Sequence, residues 1–300
     1  MLGFIIRRTL WTIPVVLLAT FITFALVKQL PFEDDVFSNP RYTGAQVQAL
    51  KDLYGLNDAY LVQYGNFLRD LVTYDLGAST KPGALQISEI IEAKLPVSMQ
   101  LGLYAFLFSA VVGTTLGVVS ALRVNTIPDY SITLLSTLAF ATPSFVTAVV
   151  WVKYSPNYGW ETWSQRVGPI LLLGISIMPY FIRLVRASML ESLQGEYIVT
   201  ARSKGIPWRT TVVRHALRNS LIPTIVNAGP LFGFVLTGSF IIERIMNVPG
   251  IAGEFVAAFG QPIDNKMILV TTVLISTIII LMNLVVDIIV GWLDPRISHG

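Results

Sequence analysis

The 300-residue chain contains no cysteine, two histidines and 13% charged residues, about half the roughly 25% usual in soluble domains. The missing cysteine excludes a disulfide framework, a thiol nucleophile and a thiolate metal site. His215 and His299 are too few for an imidazole cluster. No G-x-x-x-x-G-K-[ST], H-E-x-x-H or G-x-S-x-G occurs, so the chain carries no phosphate-cradling loop, zinc-protease helix or nucleophile elbow of its own. The net charge of +3 is sorted by position and forms no single patch, which argues against nucleic acid as a partner.

What is abundant is apolar surface: 53% of residues are hydrophobic, with a mean hydropathy of +0.65. A helix needs about 20 mainly apolar residues to cross roughly 30 Å of hydrocarbon. Six windows free of Asp, Glu, Lys and Arg approach that length: 9–27, 95–122, 130–152, 167–182, 219–242 and 267–286. The fourth is the shortest, but Arg183 and Arg186 can run their stems back to a polar interface, so its helix can continue toward Leu193. The first window lacks a small-residue cleavage site at its end and reads better as a retained span than as a signal peptide.

The expected fold is therefore an all-α integral membrane protein of six transmembrane helices with both termini on one side. The loops holding Arg7, Arg8, Arg123, the stretch 183–218 and Arg296 carry the basic excess and are expected in the cytoplasm. The expected organisation is a first helix plus external loop over 1–94, a five-helix core over 95–294 with a cytoplasmic loop at 196–223, and a short tail at 295–300.

Leu61, Tyr64, Leu68, Leu71 and Val72 fall at helical spacing in the external loop, predicting an amphipathic helix on the bilayer or on the spans. Gly113 with Gly117, and Gly229 with Gly233, permit close helix approach. Pro143 and Pro230 each remove a backbone hydrogen bond inside a span and predict kinks. Asn283 and Asp287 share one face of the last span, where Asp287 suits a structural or interfacial role.

The most cationic stretch is "TARSKGIPWRTTVVRHALRNSLIP" at 200–223. Gly205 suits the left-handed turn past a helix end and Pro207 the first turn of the next helix. In that second helix Val212, Val213, Ala216 and Leu217 are expected on one side, with Arg214 and Arg218 on the other.

This stretch resembles the cytoplasmic EAA loop of ABC importer permeases, in the T-A-R-x-K-G form of the dipeptide and oligopeptide branch. The similarity extends through "MLGFIIRRTL", "YDLGAS", "KLPVSMQLG", "ATPSF", "ERIMNVPGIAGEF" and "NLVVDIIVGWLDPR". It implies a type I ABC importer permease fold in a bacterial cell membrane, with no cofactor in this chain. It also implies a second homologous permease subunit, two ABC ATPase subunits holding ATP and Mg, and an extracytoplasmic substrate-binding protein that delivers peptide.

By the same resemblance, Thr200, Ala201, Arg202, Lys204, Gly205, Pro207, Arg209 and Arg214 couple the chain to the ATPase. Pro143, Ser144, Phe145, Gly229, Pro230 and Gly233 are expected along the pathway, and Pro249, Gly250 and Gly253 at the binding protein. The chain departs from the pattern in three places: Val199 stands in the register of the motif's glutamate, "LPFEDD" follows the first span, and the loop "KYSPNYGWETWSQRVG" is short. Rival classes are the same family importing nickel or glutathione, an ion-coupled carrier, and an intramembrane enzyme. A carrier needs ionisable groups deep in the bundle, for which only Asp287 comes close, and an intramembrane enzyme needs facing catalytic pairs, of which none is visible.

Overall fold

In the computed structural model, residues 2–29, 44–53, 57–79, 81, 85–155, 157–260 and 263–293 are described. The "LPFEDD" segment and the 295–300 tail lie outside them. The described secondary structure is helical apart from one isolated bridge between Ala78 and Gln86. In chain order the helices are α1 (Leu2–Val27), α2 (Gly44–Leu53), α3 (Tyr60–Thr73), α4 (Ile87–Leu122), α5 (Ile127–Ala141), α6 (Ser144–Tyr154) and α7 (Trp163–Leu193). There follow α8 (Glu196–Ser203), α9 (Trp208–Thr211), a π-helical turn (Val212–Ala216), α10 (Leu217–Val226), α11 (Ala228–Ile245), α12 (Ile251–Ala258) and α13 (Asn265–Leu293).

Among the described residues four helices are long and apolar enough to cross a membrane: Ile6–Val27 within α1, α4, α7, and Asn265–Ile289 within α13. The pair α5 and α6 makes a fifth if counted as one broken span. The fourth window does extend as helix to Leu193. Pro143 does more than kink the third: α5 and α6 meet at 92°.

The interruption expected at Pro230 falls at Asn227, between α10 and α11. A proline ring clashes with the carbonyl four residues back, here that of Val226, so the helix breaks there and Pro230 sits in the first turn of α11, where its missing N–H is harmless. Asn227 bridges the break, its Nδ2 donating to the Pro223 carbonyl at 2.8 Å.

The contacts divide into two compact units that interleave along the chain. One comprises Met1–Thr9, Met99–Val248 and Ile279–Gly300. Within it Gly113 and Gly117 bring α4 onto α7: a Cβ on Gly113 would lie 2.7 Å from the Phe181 Cβ, and one on Gly117 2.9 Å from the Ile182 carbonyl oxygen. Such contact lets two backbones approach where no hydrophobic driving force separates lipid from protein. Phe106 stacks edge-on against Phe181 and Phe232 at 5.7 and 5.5 Å.

The other unit comprises Leu10–Ser98 and Pro249–Ile278. Here α3 rests on α1: the Tyr64 hydroxyl lies 2.8 Å from Thr20 Oγ1 and donates to the Leu17 carbonyl, while Phe24 packs on Tyr60 and Phe67. The amphipathic helix is real, but its buried face centres on Phe67, and Leu61 and Val72 are exposed. At about 100° per residue, Phe67 pulls the face away from the arc that contains Leu61 and Val72.

The motifs "YDLGAS", "KLPVS" and "PGIAGEF" meet in this unit. Ser79 Oγ donates to Asp264 Oδ2, Lys81 Nζ to the Gly260 carbonyl, and the Ile251 N–H to Ser98 Oγ at 2.9 Å. Lys94 pairs with Glu254.

Candidate functional site

The cationic loop folds as a helix, a turn and a second helix. At the end of α8 the Gly205 N–H bonds the Arg202 carbonyl at 2.9 Å and the Ile206 N–H the Ala201 carbonyl at 3.2 Å. This is a Schellman ending, which requires a left-handed residue, and Gly205 supplies it with φ +75°. Nothing lies within 4 Å of a Cβ built there, so the backbone angle alone demands glycine. Pro207, fixed in φ, then caps α9.

The loop has a seated side and a bare side. Ile198, Val212 and Ala216 are buried with Ala121 of α4 and Met189 of α7, flanked by Val118, Leu190 and Leu193. Ser220 Oγ points at Met189 Sδ, 3.4 Å away. Thr200, Arg202, Lys204, Gly205, Pro207, Trp208, Arg209 and Arg214 are exposed, while Ala201 is buried. The Arg202 guanidinium lies over the Trp208 ring at 5.4 Å, stiffening the turn. Val199, in the register of the family's glutamate, is 64% exposed.

One expected face is corrected. Val213 turns outward and, with Arg209, Thr210, Arg214 and Arg218, lines an open groove of ≈ 650 Å³. The cause is the π turn, closed by the Leu217 N–H to the Val212 carbonyl. Its i→i+5 ladder winds wider than an α-helix, so Val212, Ala216 and Ser220 align as the buried stripe and Val213 leaves it.

The residues expected along a pathway lie on neighbouring helices, since α6 packs on both α7 and α11. Pro143 and Phe145 are exposed at the α5–α6 elbow and Ser144 is half-buried. Gly229 and Gly233 are buried against α13, where a Cβ would meet Asn283 Oδ1 at 2.5 Å and Ile279 at 3.0 Å. Pro230 is exposed. The glycine pair thus performs the close approach its spacing suggested. Of the turn before α12, Pro249 is exposed, Gly253 half-buried and Gly250 buried as the cap of α12.

Three charged groups in the first unit have partners that spacing does not reveal. Asp287 pairs with Arg8 at 2.7 Å, the structural role expected for it. Glu243, 1% exposed, accepts a hydrogen bond from Ser239 Oγ at 3.0 Å, so Asp287 is not the sole carboxylate near the spans. It was hidden because the charge-free window ends one residue earlier, at Ile242.

Arg186 does not snorkel. Its Nε and Nη2 grip the two carboxylate oxygens of Asp129 at 2.9 and 3.0 Å. The only sequence signal was an acid in the first turn of α5, which N-terminal dipole stabilisation already explains.

Among the described residues no cluster of three or more His, Asp or Glu could hold a metal.

Two family descriptions cover almost all of the chain. "Binding-protein-dependent transport system inner membrane component" matches residues 113–299, and the N-terminal portion of the same kind of membrane component matches residues 1–101. The dipeptide transport system permease protein DppB of Bacillus subtilis is 36% identical over 306 residues, covering 99% of this chain and 98% of that protein. The oligopeptide transport system permease protein OppB of Salmonella typhimurium is 33% identical over 310 residues, covering all of both chains. Among solved structures, a chain of the MetNI methionine ABC transporter in an inward-facing conformation superposes with a TM-score of 0.58 at 16% identity, over 68% of this chain and 96% of that one. That likeness establishes the all-α ABC-importer type of fold.

Proposed function

Because the chain belongs to the family of binding-protein-dependent transport system inner membrane components, we propose that its loop 196–223 is the piece through which partner ATPases drive it. The chain is the permease subunit of a dipeptide or oligopeptide ABC importer, a multi-pass inner-membrane protein that is itself non-catalytic. In the full reading it pairs with a second, homologous permease, stands on two ATPase subunits that hold ATP and Mg, and receives peptide from an extracytoplasmic binding protein. Six crossings, with both termini in the cytoplasm, are made by α1, α4, α5 with α6, α7, α10 with α11, and α13. Residues 1–94 supply the first crossing and external loop, 95–294 the core, and 295–300 the tail.

The observation that carries the proposal is the two-sidedness of the loop: one side seated on α4 and α7, the other bare and held stiff by a Schellman ending. Thr200, Arg202, Lys204, Gly205, Pro207, Arg209 and Arg214 face the ATPase, and the small Ala201 lets α8 sit close to its base. Pro143, Ser144 and Phe145 at the elbow, with Gly229, Pro230 and Gly233 on α11, belong to the pathway wall. Pro249 leads the binding-protein contact, with Gly250 and Gly253 shaping the turn behind it. ATP-driven closure then moves the loop and, with it, the spans as rigid bodies.

The test is Gly205→Val. A β-branched residue at φ +75° is strained by about 1–3 kcal/mol, so co-purification of the ATPase subunits should fall while membrane insertion stays intact. Gly205→Asn, which tolerates the left-handed region, should retain most of it. Equal ATPase recovery with valine would remove the docking role.

A further inference from the structure

Resting on that docking reading, the geometry points to Arg186, Asp129 and Ser120 as the joint that passes movement of the docked loop into α5 and its elbow at Pro143. The three residues stand next to the loop's seat. Arg186 is one turn before Met189 on α7, and Ser120 adjoins Ala121 on α4; Met189 and Ala121 are the two buried residues on which Ile198, Val212 and Ala216 sit.

From there the connection to α5 is polar. The Asp129 carboxylate, 2% exposed, accepts both guanidinium bonds from Arg186, a third from Ser120 Oγ and a fourth from the Asn125 N–H at 3.0 Å. Arg186 Nε also lies 3.1 Å from Ser120 Oγ. Asn125 reaches its place only with φ +60°, so the chain between α4 and α5 is bent to deliver its N–H to the same carboxylate.

A fork-to-carboxylate pair fixes orientation as well as distance, and a buried one cannot slide without stranding a charge. Apolar contacts at the seat tolerate slip; this node does not. α5 then runs without a break from Asp129 to Ala141, and only Thr142 separates it from the elbow at Pro143. Movement that the docked loop imparts to α4 and α7 is thereby carried to the bend where Pro143, Ser144 and Phe145 lie.

The test uses the complete importer, reconstituted in vesicles with its ATPases and binding protein, and reads ATP hydrolysed per radiolabelled dialanine accumulated. Arg186→Lys keeps the charge but loses the fork, and it should raise ATP per peptide roughly tenfold with ATPase subunits still bound at wild-type stoichiometry. Ser120→Ala removes the bonds of the Ser120 hydroxyl to Asp129 and Arg186, leaves the Arg186 fork on Asp129 and so strands no charge, and should raise the ratio by a smaller factor.

A merely structural pair would lower hydrolysis and transport together and leave the ratio unchanged. That result in an Arg186→Lys complex that holds its ATPases overturns the joint and leaves the docking reading standing. Should Arg186→Lys fail to assemble, the Ser120→Ala ratio decides on the same criterion. Absence of ATPase subunits from the wild-type complex would sink the docking reading itself.

Discussion

Asp264 has no exposed surface, yet it is an acid beside a membrane span. Its Oδ1 accepts the Met267 N–H at 3.0 Å and so caps α13, its Oδ2 receives Ser79 Oγ, and its own N–H reaches the Ala258 carbonyl at 2.8 Å. The side chain that caps α13 thus also holds Ser79, a residue distant in the chain, which gives "YDLGAS" a physical task. Asp264→Ala should destabilise the protein by about 0.5–2 kcal/mol from the cap alone, with Asp264→Asn milder. Thermal unfolding of the detergent-solubilised protein measures the difference, and identical midpoints for both variants would deny the cap its role. The residue scale is where sequence reading was weakest: Asp264, Asp129, Arg186 and Glu243 find partners across long separations or inside a masking window. Nothing in local periodicity announces them.

Among elements, the long periodic ones were legible and the breaks were only half so. Continuous apolar length specified α1, α4, α7 and α13, because burial of backbone polar groups in lipid forces helix wherever the run is long enough. The loop 196–223 was legible for a different reason: Gly205 and Pro207 are each confined to a narrow backbone region, so their spacing fixes a helix ending and a helix start. What periodicity missed was the π turn, since one extra residue per turn leaves no compositional mark, and Val213 was assigned to the wrong side. The break at Asn227 was displaced because a proline acts on the turn behind it. The seat of the loop gives an element-level test. Met189→Ala should open a cavity beneath α8, with a penalty of about 2–5 kcal/mol, and hydrogen exchange over 196–216 should accelerate while α13 stays protected. Uniform acceleration throughout the chain would mean that the seat has no local character.

For the whole molecule, the lack of cysteine makes the proposed six-crossing arrangement directly measurable. A single cysteine at exposed Ser203 should react with an impermeant maleimide only after the cells are opened, and one at exposed Asp58 should react in cells with the outer envelope removed. Labelling of both from the same side would overturn the topology. The elbow between α5 and α6 has a separate consequence. α6 begins behind Pro143 with no side-chain cap; the Val146 N–H reaches the Pro143 carbonyl at 3.0 Å, but the Ser144 and Phe145 amides come before the first helical carbonyl, on a surface where Pro143 and Phe145 are bare. Hydrocarbon cannot solvate such amides; water or a neighbouring protein must. On the proposed pairing a solitary copy in lipid is therefore an unfinished wall, and cells producing this chain without the proposed second permease should clear it by proteolysis within a few generations, as pulse-chase labelling would register.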